Sequence, residues 1–114
     1  MDLKPLMDEL KVLNKSAWVE INRILAILNF KDYSGAFIDE FIYRYVWTLC
    51  RNKAVDDHND ENSYTWSVKE LDPGTFFARI GHIDVNDNDR AIALCMTDSK
   101  GSALLYTYLK WISK

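Results

Sequence analysis

The spacing of apolar residues changes twice along this chain, and few folds accommodate both changes. From the N-terminus, apolar residues at 3, 7, 10, 17, 21, 24 and 28 keep to one side of an α-helix, with Asn14 as a polar intrusion. Beyond residue 62 the interval falls to two. Tyr64, Trp66 and Val68 alternate with Ser63, Thr65 and Ser67, as on a strand with one buried side. Near the C-terminus the helical interval returns, and Leu104, Leu105, Tyr108, Leu109 and Ile112 share a face. Helices and strands that segregate along the chain, rather than alternating one by one, belong to an α+β domain.

Punctuation between these stretches sets the expected elements. Pro5 sits where a first helical turn tolerates a missing N–H, and Asp2 complements the dipole there. Whether residues 3–28 form one helix or two is open, since Ser16 is a competent N-cap for a second helix beginning at Ala17. Asn29 to Tyr33 reads as a connection. A further helix follows from about Ser34 to Arg51, with Ile38, Phe41, Ile42, Tyr45 and Leu49 as its stripe, and short connection implies an antiparallel hairpin. Residues 55–62 have almost nothing to bury and read as a loop. Asp72-Pro73-Gly74 is a turn, because proline presets the first central dihedral and glycine accepts a positive φ. Thr75 to Val85, the Asn86–Asp89 turn and Arg90 to Thr97 then complete a three-stranded antiparallel meander. Phe76, Phe77, Ile80 and Ile83 also satisfy a helical interval, so strand and helix both stay open for 75–85. Ser102 is placed to cap a last helix, with Lys110 and Lys114 at its negative end. The expected architecture is ααβββα, helices on one face of a small antiparallel sheet, in a single domain of 1–114.

The chain has 114 residues, 48% hydrophobic, enough to form a core without a disulfide or a structural metal. Its charge is unevenly placed: residues 55–89 hold nine acids and two bases, while the segments on either side are slightly basic. A nucleic-acid binder shows the reverse, a clustered basic face that releases counterions from phosphate, so no direct nucleic-acid contact is expected. No apolar run approaches the roughly 18–20 residues needed to span a bilayer, so no membrane contact is expected. Cys50 and Cys95 lie within apolar runs, and the N-terminus lacks a basic-then-apolar leader pattern. A reducing, cytoplasmic location is expected.

Catalytic chemistry finds little support. Asp84-Val85-Asn86-Asp87-Asn88-Asp89 begins like a calcium loop, but Asp89 stands where glycine is needed and Cys95 where a bidentate glutamate is needed. A polar hairpin turn explains it. Asp56, Asp57, His58, Asp60 and Glu61 lack the fixed spacing that metal coordination requires, so no metal or cofactor is expected. His82 and Asp84, two apart on a strand, would share a face, yet no serine sits in a nucleophile context. The cysteines have no Cys-x-x-Cys spacing and no cationic neighbours to hold a thiolate. The four glycines build no phosphate loop.

The aromatic content is out of proportion: four Trp, six Tyr and five Phe. Tyr33, Tyr43, Trp47, Tyr64 and Trp111 fall at the borders of the apolar stripes, and such rings are enriched at protein interfaces. Acid and aromatic excess together point to a non-catalytic module that binds a basic protein, such as a nuclease, in the manner of immunity proteins, antitoxins and phage-encoded inhibitors. The expected contact residues are Asp56, Asp57, Asp60, Glu61, Tyr64, Trp66, Asp84, Asp87 and Asp89. The alternative is an oligomeric structural or accessory subunit, a homodimer for instance, paired through Ile24–Leu28 and Phe41–Tyr45.

Overall fold

The computed structural model describes residues 2–57, 63–84 and 86–113. Residues 3–28 divide into two helices, α1 (Leu3–Leu13) and α2 (Lys15–Ile27), and Asn14 makes the break. Its N–H closes α1 on Leu10 O at 2.7 Å, and its Oδ1 opens α2 by accepting from Ala17 N–H at 3.2 Å. Its Nδ2 donates to the Tyr108 hydroxyl at 2.9 Å, which ties the junction to the last helix. Asn14 therefore takes the capping role expected of Ser16, whose hydroxyl instead donates to Asn14 Oδ1 at 3.1 Å. At the other end of α2, Asn29 adopts φ 67°, and Phe30 N–H and Asn29 N–H reach back to Leu25 O and Ala26 O. That is the Schellman closure, in which a left-handed residue satisfies the last carbonyls.

Helix α3 (Ala36–Asp57) continues past Arg51, so residues 55–57 are helical rather than loop. Two contacts extend it: Lys53 pairs with Asp57 at 2.7 Å, and its ammonium lies 5.3 Å from the centre of the Trp111 ring.

Strands β1 (Ser63–Asp72), β2 (Thr75–Ile83) and β3 (Asp89–Thr97) form an antiparallel sheet in the order β1-β2-β3. Gly74 takes φ 83° in the tight turn after Pro73. Residues 75–83 are strand: Ala78 and Ile80 turn inward to full burial, whereas Phe77 and Arg79 face the other way and are half-buried. A bulge between Ile80 and Gly81 shifts the β2–β3 register.

Helix α4 (Lys100–Ile112) is the centre of the molecule, packed on the sheet and against α1 and α3. Ser99 caps it, accepting from Ser102 N–H at 3.3 Å, while Ser102 lies buried inside the first turn. The cap thus falls earlier than expected. Leu104, Leu105, Thr107, Tyr108, Leu109 and Trp111 are all buried, as for a helix enclosed on most sides. The start of α4 meets the start of α3 closely, since Gly101 N–H donates to Asp39 Oδ1 at 3.1 Å and Lys100 pairs with Glu40. The architecture is α+β, with the outer face of the sheet uncovered among the described residues.

Candidate partner-binding surface

Sheet register decides where the expected contact residues meet. Ser63 lies opposite Ile83, and Ile83 opposite Asp89, so the β2–β3 turn sits at the same end of the sheet as the start of β1. The last turns of α3 reach that end too, because Ala54 and Val55 line a cleft of about 290 Å³ together with Arg51, Ser63, Tyr64 and Trp66. Asp56, Asp57, Asp84, Asp87 and Asp89 are thereby gathered at one end. Asp60 and Glu61 lie outside the described residues.

Several of these carboxylates already have cationic neighbours. Asp57 pairs with Lys53 at 2.7 Å, Asp89 with Arg79 at 2.9 Å, and Asp84 lies 3.7 Å from Arg90. Asp56 and Asp87 have no ion pair among the described residues. Lys53 and Arg90 belong to the flanking segments in sequence, and folding brings them onto the acidic stretch. The field at this end is accordingly smaller than the raw count of acids implies. Exposed pairs of this kind contribute about 0–1 kcal/mol and exchange partners readily.

Asp84 has a second task. Its Oδ1 accepts from Asn86 N–H at 2.9 Å and Asn88 N–H at 3.0 Å, folding the turn around the carboxylate, and Asp87 adopts φ 61° within it. The Asn88 amide above all, helped by Asn86 and Arg90, holds the Asp84 carboxyl below the usual carboxylate range. Asp84, which its spacing from His82 would place on the same face, is thus turned to the turn backbone. His82 instead stacks on Tyr64 at 4.9 Å, and its Nε2 is buried without a partner among the described residues.

Tyr64 and Trp66 face the helices rather than solvent. Tyr64 lies between His82 and Trp111, 5.1 Å from the latter, and Trp66 meets Trp47 edge-on at 5.6 Å. Both are half-buried members of an aromatic cluster beneath α3 and α4. Among the border aromatics, Trp111 is buried, whereas Trp47 is 38% exposed. Trp47, Arg51 and Val55, four apart on α3, run beside the cleft, and Val55 is 70% exposed. Sequence reading left Arg51 and Val55 out of the site; the signal for them was an exposed i, i+4 ridge off the core stripe.

A larger cleft of about 440 Å³ lies at the opposite end, between the starts of α1, α3 and α4. Two of its acids act as helix caps, Asp2 Oδ1 accepting from Lys4 N–H at 3.0 Å and Asp39 from Gly101. Cys50 is fully buried, which pushes its thiol up to about 12, and burial also raises Cys95. Among the described residues no cluster of His, Cys, Asp or Glu is placed to hold a metal ion, and no helix is long and apolar enough to cross a membrane. Comparison with family models, curated proteins and solved structures finds no match, so the functional reading rests on this geometry.

Proposed function

We propose that this protein is a non-catalytic module that binds a basic protein through the end where α3 finishes and the β2–β3 turn folds. One observation carries the reading: carboxylates from two distant stretches, Asp56–Asp57 and Asp84–Asp89, converge on one end of the sheet. A partner with a cationic site for phosphate, such as a nuclease, is the matching class. Its lysines and arginines would meet Asp56 and Asp87 first and then displace Lys53 from Asp57 and Arg79 from Asp89. Blocking the partner's substrate site in this way is how an immunity protein, antitoxin or phage-encoded inhibitor works, and the proposed place of action is the cytoplasm.

Affinity capture from host lysate, with mass-spectrometric identification, tests the partner class. Exchange of Asp56 and Asp87 for asparagine should slow association several-fold and flatten its salt dependence. Exchange of Asp2 and Asp32, far from this end, should do neither. Equal effects of the two pairs would refute the reading.

A second reading, self-association, has its own support. Phe41 and Tyr45 pack against the core and are largely used within the chain. The Ile24–Leu28 end of α2 stays available, with Ile27 69% and Leu28 46% exposed, and the outer sheet face, uncovered among the described residues, offers a second self-contact, with Leu94 51% and Met96 60% exposed beside Phe77. Light scattering on the wild type and on Leu94→Lys separates the two readings.

A further inference from the structure

The cleft beside the acidic end has a backbone component. In the order β1-β2-β3, β1 is an edge strand, and its outward N–H and C=O groups have no partner among the described residues. Above this edge run Trp47, Arg51 and Val55 of α3, with Trp66 of β1 forming the inner wall of the cleft. We infer that this edge and cleft take an extended segment of the partner, added as a fourth strand, whose residues alternate between apolar and basic. The inference rests on the proposed function and adds the recognition mode of the same partner.

Each feature selects one property of the segment. Unpaired strand amides select an extended backbone, since only a strand satisfies them in sequence. The side chains of an added strand alternate, so every second one enters the cleft, where Ala54, Val55, Tyr64 and Trp66 favour an apolar group. Trp66 forms the inner wall, packed edge-on against Trp47 at 5.6 Å, so the floor of the cleft is aromatic. Charge selects the remainder. Asp56 is exposed and follows Val55 on α3, and Glu70 and Asp72 lie exposed towards the other end of β1. Arg51, itself in the cleft wall, and Lys69 on β1 are the opposing cations, so the basic residues of the segment are those that point away from the cleft. The β3 edge is a poorer match, because Ala93-Leu94-Cys95-Met96 carries no charge.

The test is an NMR titration of the ¹⁵N-labelled protein with a short capped peptide in which Lys alternates with Leu and Val. Expected are saturable shifts at the amides of residues 63–70 and at the Trp47 and Trp66 indole N–H, with Trp18 still. An otherwise identical peptide with Glu for Lys should bind at least about tenfold more weakly, as should a peptide N-methylated on the amides that face β1. Val55→Arg, at an exposed position where folding is not at stake, should cost a similar factor. Shifts confined to residues 86–89 would overturn the edge site while leaving the acidic-end reading intact. No shift at β1, or equal binding of the N-methylated peptide, would overturn it too. Peptide seated on β1 while Asp56 and Asp87 exchange leaves partner capture unchanged would uphold the edge site and remove the acidic-end reading.

Discussion

Replacing Gly101 by alanine examines the contact on which the helical layer turns. A Cβ built at this position lies 2.5 Å from both the backbone O and the Oδ1 of Asp39, closer than real Cβ contacts come. The side-chain oxygen could rotate away, but the backbone carbonyl sits in the first turn of α3 and cannot move without the helix. Overpacking of this kind costs about 1–3 kcal/mol, and separating the helix ends weakens the Gly101 N–H to Asp39 bond, worth another ~1.5–3 kcal/mol where it is lost. Alanine's better helix propensity returns at most about 1 kcal/mol. A net loss of about 2 kcal/mol is expected, which for a domain of this size lowers Tm by about 8 °C. Urea melts and thermal scans would measure it. Asp39→Ala in the same chain should not rescue the loss, because the backbone oxygen stays. A Gly101→Ala protein as stable as wild type, or one rescued by Asp39→Ala, would refute the reasoning.

Three further outcomes are expected. Asn14→Ala removes a cap and the bond to Tyr108 together and should cost about 2 kcal/mol in urea melts, whereas Ser16→Ala should cost far less. Because the folded state depresses the Asp84 pKa, its stabilisation is complete above about pH 4 and is lost as pH falls through the folded value. The stability gap between wild type and Asp84→Asn, which can still shape the turn, should therefore be constant from pH 5 to 7 by denaturant titration and shrink below about pH 4; a gap unchanged by acid contradicts this. Neither Cys50 nor Cys95 should react with a thiol reagent at pH 8 until the chain is unfolded, and native-state labelling of Cys50 would contradict its burial.

Side-chain period carried most of the fold, because a helix and a strand expose different residues to one buried layer and the sequence records which. The strand at 75–83 shows the limit of that record. Phe76, Phe77, Ile80 and Ile83 fit either period, and pairing on both sides, with β1 and β3, settles it. Helix ends were less legible for a local reason. Asn14 and Ser16 are both good caps, and only Tyr108, 94 positions away, holds Asn14 in the role. Likewise α3 outlasts its stripe because Trp111 receives the Lys53 side chain.

For the candidate surface the division is electrostatic. Which segment is acid-rich, and that residues 84–89 make a polar turn, are legible in the sequence alone, since both follow from residue identity and near neighbours. Tertiary structure decided how much of that charge stays available, by bringing Lys53 to Asp57 and Arg90 to Asp84. It also turned Tyr64 and Trp66 inward and left Val55 and Trp47 at the surface beside the outer edge of β1. Charge count is a property of the chain, but the field at a surface falls off with distance, and distances exist only after folding.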